Sequence, residues 1–211
     1  MKKITAVLLC LLLIFLCSCN STKNEETTKA SAEETTIPEE ITTVESLEIE
    51  ELDPAQVLTV YFTHNDPIPA AATYISELTE GGLYKIETLG EYPEDEAELV
   101  KKAAEEYNNN VRPALKNAPT DMLEYDVVFL CFPAWNYTMP MALWTFIEDY
   151  DMRDKAVLPV IYGTETELYN AMRDIQSMAP SLMLADGFNF TSDFSDCEEE
   201  FNTWLNTVLY G

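Results

Sequence analysis

Basic residues are scarce in this 211-residue sequence, in which 12 Lys and Arg stand against 38 Asp and Glu for a formal net charge of -26. So few cations cannot neutralise the phosphates of a nucleic acid, and an anionic membrane surface would repel the chain. His64 is the one histidine, which excludes a histidine-rich metal site and leaves a serine-histidine-aspartate arrangement a single possible base. These absences exclude nucleic acid as a partner. Neither a P-loop nor a G-x-G-x-x-G pattern occurs, so the common nucleotide-binding motifs are excluded as well.

The sequence also lacks a hydrophobic run long enough to span a bilayer, which needs about 20 residues. Its most apolar stretch, residues 4–16, follows two lysines and predicts the hydrophobic region of a signal peptide over residues 1–18. The stretch ends in Leu-Cys-Ser-Cys at 16–19, which resembles the lipobox of bacterial lipoproteins. That resemblance implies that Cys19 becomes the mature N-terminus and is acylated, with palmitate as the expected lipid. An ordinary secretory peptide cut nearby and an uncleaved anchor are the alternatives.

Few cysteines remain outside this leader. Cys131 and Cys197 are the two that follow Cys19, and no C-x-x-C pattern is present, so a disulfide framework is not expected. Cys131 lies in an apolar run, which predicts a buried thiol.

Aromatic residues are absent from residues 20–53, which are dominated by Thr, Ser, Glu and Lys. This composition offers too little apolar surface for a core, so residues 19–53 are predicted to form a disordered, acidic tether. A flexible chain of that length averages roughly 30 Å from end to end. The tether would hold the following domain, residues 54–211, away from a membrane surface. A binding segment within 41–52 is the alternative.

Strand-like and helical patterns alternate along residues 54–211. Strands are predicted over 57–62, 83–89, 127–132, 156–161 and 182–190, and helices over 69–78, 94–107, 140–150, 168–178 and from Ser195 to 208. Such alternation predicts an α/β domain with a doubly wound, five-stranded parallel sheet of order 2-1-3-4-5 and helices on both faces. Its ligand site is expected beyond the carboxyl ends of strands 1, 3 and 4. Pro159 weakens the fourth strand, because proline rarely occupies a central strand.

Several short segments spaced along this domain resemble those of the flavodoxin-like family, in its bacterial long-chain branch. They are Tyr61-Phe62-Thr63, Tyr92-Pro93, Arg112-Pro113-Ala114-Leu115, Tyr125-Asp126, Phe132-Pro133-Ala134-Trp135, Pro140, Thr145-Phe146 and Ala179-Pro180. The resemblance runs from Val57 to Phe190 and implies a flavodoxin fold. It also implies noncovalent binding of FMN, and transfer of electrons or reduction of small acceptors.

The first loop of the implied FMN site follows strand 1. In the family it has the form S-x-S-G-N-T and wraps the phosphate in backbone amides and hydroxyls. Here it begins with Thr63, His64 and Asn65, which are the candidate cofactor residues of this loop. Asp66 places a negative charge where the family has glycine, and the proline that follows lacks an amide. We therefore predict that this loop does not select FMN through its phosphate. His64 is interpreted as a solvated loop residue rather than as a base.

The second and third loops supply the remaining candidates. Pro133, Ala134, Trp135, Asn136 and Tyr137 match the segment whose aromatic residue packs on the isoalloxazine ring in the family. A loop tryptophan with no ligand is the alternative.

In the third loop, Gly163 and Thr164 stand where the family has a glycine-rich stretch over the flavin edge. The acids that follow, Glu165 and Glu167, suit the first turn of the next helix, and a metal or substrate role is the alternative.

Three functions are consistent with these observations. The first is a membrane-anchored, extracytoplasmic FMN module for electron transfer. Because reduced nicotinamide is not available outside the cytoplasm, its electrons would come from a membrane redox partner. The second is a flavodoxin-fold lipoprotein without flavin that acts as a ligand-binding or interaction domain. The third is a pocket for an uncharged ring compound that stacks on Trp135 and Tyr137. Flavin colour in the purified protein distinguishes the first from the others.

Overall fold

A computed structural model describes residues 53–117, 119 and 121–210. The predicted signal peptide, the lipidation site Cys19 and the tether as far as residue 52 lie outside the described residues. Strands and helices alternate as β1 (Val57–Tyr61), α1 (Ile68–Thr79), β2 (Gly82–Lys85), α2 (Glu96–Asn108), β3 (Val127–Pro133), α3 (Met141–Asp149), β4 (Ala156–Tyr162), α4 (Glu165–Met178), β5 (Met183–Leu184), β6 (Phe188–Phe190) and α5 (Glu198–Tyr210). None of the described helices is long and apolar enough to cross a membrane.

All the strands form one parallel sheet in the order β2-β1-β3-β4-β5, and β6 also pairs with β4. This confirms the predicted doubly wound sheet with the order 2-1-3-4-5. Helices α1 and α5 pack on one face through Ile75 and Phe201. Helices α3 and α4 pack on the other through Phe146 and Ile175. Helices therefore cover the sheet on both faces. Strand β3 shows the effect: all seven of its residues are buried, which accounts for its continuous apolar sequence.

Pro159 lies inside β4 after all, in register with Leu130 of β3. Its neighbours show why the strand accepts it. The carbonyls of Lys155 and Val157 accept hydrogen bonds from the amides of Met183 and Ala185, so the backbone polar groups of odd-numbered β4 residues point toward the outer strand. Pro159 therefore turns its missing N–H away from β3 and toward the interval between β5 and β6, where no strand pairs with it.

The predicted fifth strand, 182–190, is consequently two short segments rather than one. Between the paired residues, three residues of the outer strand oppose two of β4, as in a bulge. Gly187 belongs to this interval, and a Cβ there would lie 2.5 Å from Leu168 Cδ1 and 3.2 Å from the Pro159 carbonyl oxygen. The close approach of the strand to α4 thus requires glycine.

Helix boundaries follow local caps. The Asp95 carboxylate accepts from the Glu98 amide, so α2 begins at Glu96 rather than directly after Pro93. The last helix begins at Glu198, because the segment that holds Ser195 forms a separate 3-10 turn, Phe194–Asp196. The predicted start of this helix at Ser195 is therefore wrong by three residues.

Candidate functional site

A cavity of about 630 Å³ lies at the carboxyl edge of the sheet, where the loops after β1, β3 and β4 meet. Of the ten candidate cofactor residues, eight line it: His64, Asn65, Pro133, Ala134, Trp135, Asn136, Tyr137 and Gly163. Thr63 and Thr164 do not line it. The topology therefore brings the three predicted loops to one place, as the carboxyl ends of parallel strands require.

The first loop is organised around the side chain of Asp66. One carboxylate oxygen, Oδ1, accepts from the Thr63 hydroxyl at 2.9 Å and from the Ile68 amide at 2.9 Å. The other, Oδ2, accepts from the His64 amide at 2.6 Å. Ile68 is the first residue of α1, so Asp66 also supplies the polar cap that Pro67 cannot. The hydroxyl of the predicted ligand Thr63 is thus committed within the loop.

His64 fastens this loop to the segment that precedes α2. Its Nε2 lies 2.7 Å from the Pro93 carbonyl oxygen, which can only accept, so Nε2 carries the proton. The ring also packs against Tyr92 and Trp135, with centroids 6.2 Å from each. His64 is therefore a half-buried positioning residue rather than a solvated one.

The second loop is a two-residue hairpin closed by Trp135 and Thr138. Their backbones exchange hydrogen bonds of 2.9 and 3.0 Å, and the two central residues, Asn136 and Tyr137, have φ of 49° and 65°. Asparagine tolerates this left-handed region, whereas tyrosine is disfavoured there. The turn nevertheless places Tyr137 at the cavity with its side chain 76% exposed. Residues held in such a conformation concentrate at ligand sites.

Helix α4 holds this hairpin in place. The Thr138 hydroxyl donates to the buried Asp174 carboxylate at 2.7 Å, and the Asn170 side chain donates to the Tyr137 carbonyl at 3.0 Å. Both contacts fix the backbone and leave the aromatic rings of the loop free to line the cavity.

Trp135 is supported by aromatic rings from two other loops. The Phe62 centroid lies 5.1 Å away and the Tyr92 centroid 4.8 Å away, both at steep interplanar angles. The Tyr92 hydroxyl donates to Glu106, a buried carboxylate of α2, at 3.0 Å. Burial raises the pKa of Glu106, and the hydrogen bond from Tyr92 and the charge of Lys102 oppose that shift. Trp135 therefore rests on a packed cluster while it remains partly exposed at the cavity.

The third loop uses its polar groups to start α4. Thr164 and Glu167 form a capping box: the Thr164 hydroxyl accepts from the Glu167 amide at 3.4 Å, and the Glu167 carboxylate accepts from the Thr164 amide at 2.8 Å. This confirms the interpretation of Glu165 and Glu167 as first-turn acids of the helix. Gly163 is required for close packing, because a Cβ there would lie 2.8 Å from the Ala134 Cβ.

The sequence profile of the family described as flavodoxin matches residues 56–208. The chain belongs to the flavodoxin family. A proposed flavoprotein from Bacteroides eggerthii is similar, with 25% identity, a TM-score of 0.63 and coverage of 74% of this chain and 99% of that one. Another from Bacteroides uniformis has 25% identity, a TM-score of 0.60 and coverage of 73% and 99%.

A flavoprotein from Lactobacillus acidophilus, solved in complex with FMN, has 17% identity, a TM-score of 0.57 and coverage of 72% and 99%. At that identity, the likeness concerns the fold. No curated protein matches the chain.

One wall of the cavity was not predicted from the sequence. It is formed by the start of α2 and the segment before it, and it consists of Glu94, Glu96, Leu99, Val100 and Ala103. The carboxyl end of β2 reaches the same edge of the sheet as β1 and β3, which is the signal that identifies it. Asp66, Tyr162, Glu167 and Thr191 complete the lining. Across the part of the chain that the structure describes, the cavity lining contains four carboxylates and neither lysine nor arginine.

Proposed function

We propose that this flavodoxin is a flavin-binding redox domain held on the outer face of the cell membrane by lipid on Cys19. The observation that carries the proposal is the cavity at the carboxyl edge of the sheet, whose lining places Trp135, Tyr137 and Tyr162 together. A flat, largely apolar ring system such as isoalloxazine is the ligand class that such a surface suits.

The size of the site supports a flavin. A volume of about 630 Å³ lies within the range of cofactor pockets, roughly 300–1,000 Å³. FMN, the cofactor of the Lactobacillus acidophilus flavoprotein, is the family's candidate. A flavin bound here would supply one- and two-electron transfer through its isoalloxazine ring. Trp135 and Tyr137 would hold the ring, and the loop from Pro133 would fix their positions.

The phosphate of FMN fits this cavity less well than the ring does. The first-loop donors Thr63, His64 and Ile68 already bind the Asp66 carboxylate. Pro67 and Pro69, at the start of α1, have no amide to donate. The residues present therefore favour the ring portion of the cofactor and offer its phosphate little.

The proposed location would limit the sources of electrons for such a domain. A lipid on Cys19 and the acidic tether up to residue 53 would keep the domain near the membrane but away from its surface. Electrons would then come from a membrane redox partner rather than from soluble nicotinamide.

The test is a flavin titration of the purified full chain in detergent, in which binding is measured by the quenching of flavin fluorescence. We expect saturable binding and a shift in the absorption spectrum of the flavin ring, because Trp135 and Tyr137 lie at the cavity. A reversible change of that spectrum on reduction with dithionite should follow. Failure of both riboflavin and FMN to bind would reject the proposal.

A second candidate is a flavin-free binding or interaction domain, and the acidic lining favours it. Asp66, Glu94, Glu96 and Glu167 give the cavity a charge that suits a neutral or cationic ring compound. A colourless protein that binds neither flavin, but whose Trp135 fluorescence responds to a neutral or cationic aromatic compound, would support this candidate.

The anchor has its own experiment. Cys19→Ala should abolish labelling of the protein by a palmitate analogue and prevent normal processing of the signal peptide. Cys17→Ala removes a neighbouring cysteine and should leave labelling intact. A Cys19→Ala protein that is processed and kept in the membrane like wild type would contradict the lipoprotein assignment.

A further inference from the structure

The first loop contains three hydrogen-bond donors that converge on one carboxylate. The Thr63 hydroxyl, the His64 amide and the Ile68 amide reach the two oxygens of Asp66 at 2.6 to 2.9 Å. Amides and a hydroxyl gathered at the start of a helix form the arrangement that binds phosphate in many proteins. In this chain the Asp66 carboxylate already accepts hydrogen bonds from all three donors.

We propose that Asp66 makes the cavity selective for a flavin that lacks the phosphate, such as riboflavin, over FMN; this inference rests on the proposed function. A phosphate dianion entering the loop would have to displace the Asp66 carboxylate from its three donors. The displaced carboxylate would stay beside the phosphate, so the exchange replaces one anion by two in the same place.

The surroundings give that pair no compensating charge. Glu94 and Glu96 lie on the neighbouring wall, and the described lining contains neither lysine nor arginine. Asn65, the other polar group of the loop, donates its side-chain amide to Glu94 at 2.8 Å. The isoalloxazine ring, by contrast, is neutral, so the carboxylates of the lining would not repel it as they would a phosphate.

The first measurement compares riboflavin with FMN on the wild-type full chain. We expect riboflavin to bind at least as tightly as FMN. FMN binding about tenfold tighter than riboflavin would overturn the inference while it confirms that the domain binds flavin, since one hydrogen bond to a charged group corresponds to about that factor.

The second measurement removes the internal anion. Asp66→Gly restores the glycine of the family's loop and frees all three donors, so FMN should gain about tenfold or more relative to riboflavin. Glu94→Gln removes a carboxylate from the same cavity without freeing a first-loop backbone donor, so it should raise the FMN-to-riboflavin ratio by less than about threefold. An unchanged FMN-to-riboflavin ratio in Asp66→Gly would overturn the inference.

Asp66→Asn covers the case in which the glycine variant does not fold. It keeps one side-chain oxygen for the Thr63 hydroxyl and the Ile68 amide and removes the charge. Its FMN-to-riboflavin ratio should move in the same direction as that of the glycine variant, and a ratio equal to that of wild type would count against the inference.

Inorganic phosphate separates this inference from the proposed function. Millimolar phosphate should raise the thermal midpoint of Asp66→Gly by a few degrees and leave wild type unchanged, with ionic strength held constant by chloride. If neither flavin binds either protein but phosphate stabilises only the variant, the flavin proposal fails and the role of Asp66 stands. If phosphate stabilises wild type as much as the variant, the role of Asp66 is wrong.

Discussion

The first and second loops of the site reach the same cavity but treat their functional groups in opposite ways. The first loop turns its donors inward onto Asp66, and its strongest polar groups satisfy one another. The second loop keeps its backbone polar groups inside a tight hairpin and presents its side chains outward, with Tyr137 held at a φ of 65°. One loop is internally satisfied, and the other holds Tyr137 in a conformation that its two-residue hairpin requires but tyrosine disfavours.

This difference indicates that the two halves of a flavodoxin site are separable. Under the proposed function, the half that would hold the ring depends on packing behind Trp135, which comes from Phe62 and Tyr92 on other loops. The half that would hold a phosphate depends on free donors and on the absence of a competing anion. The Asp66 carboxylate alters the phosphate half and leaves the ring half intact.

The largest effect is expected from removing the ring at the centre of the second loop. Trp135→Ala should lower the free energy of unfolding by about 2–3 kcal/mol, below the range for a fully buried aromatic because Trp135 is partly exposed. It should also abolish binding of flavins. Urea denaturation and a riboflavin titration measure the two effects.

Trp135→Phe is the matched control, since it keeps an aromatic ring against Phe62 and Tyr92. It should retain most of the stability and part of the ring binding. If Trp135→Ala bound riboflavin as tightly as wild type does, the second loop would not hold the flavin ring, and the proposed division of roles between the two loops would be wrong.

A smaller change in the free energy of unfolding, of opposite sign, is expected two residues further along the hairpin. Tyr137→Gly relieves a left-handed conformation and should raise the free energy of unfolding by about 1 kcal/mol. The same change should weaken riboflavin binding, because it removes an exposed ring from the cavity. Asn136→Gly, at a φ of 49°, is the control and should change both quantities little, since asparagine tolerates this region. Destabilisation by Tyr137→Gly would mean that the tyrosine packs rather than binds.

Most of the fold was predictable from the sequence, because fully buried strands such as 127–132 leave a continuous apolar signal. The departures concern positions where tertiary contacts decide. Pro159 is accepted because its missing N–H faces an unpaired interval, and the fifth strand divides at that same interval. Neither feature is visible without knowing which strand lies on each side of β4.

The site was predictable where it follows strand ends and not where it depends on side-chain pairing. His64, Asn65 and residues 133–137 line one cavity because parallel strands end at the same edge of the sheet. The sequence also indicated that Asp66 is unfavourable for phosphate, but not that its carboxylate gathers the loop's donors. The wall from α2 was missed because its residues match no ligand motif and are identified only by their place at the sheet edge.

The smallest effect concerns a second internal carboxylate, Glu106, which supports the ring-binding loop through Tyr92. Burial raises the pKa of Glu106 in the folded state above the ordinary value of 4.5 that applies to the unfolded state. At a pH between the unfolded-state and folded-state pKa, the folded state therefore binds more protons than the unfolded state. The free energy of unfolding should therefore fall as pH rises through that range. Glu106→Gln keeps an oxygen for the Tyr92 hydroxyl but cannot titrate, so the stability of wild type relative to this variant should decline as pH rises above the ordinary value of 4.5 in urea denaturation. Glu105→Gln changes the exposed neighbouring residue, and its free energy of unfolding should follow the same pH dependence as that of wild type. If the free energy of unfolding of wild type instead rose relative to that of Glu106→Gln as pH increased, the fold would stabilise the charged form of Glu106.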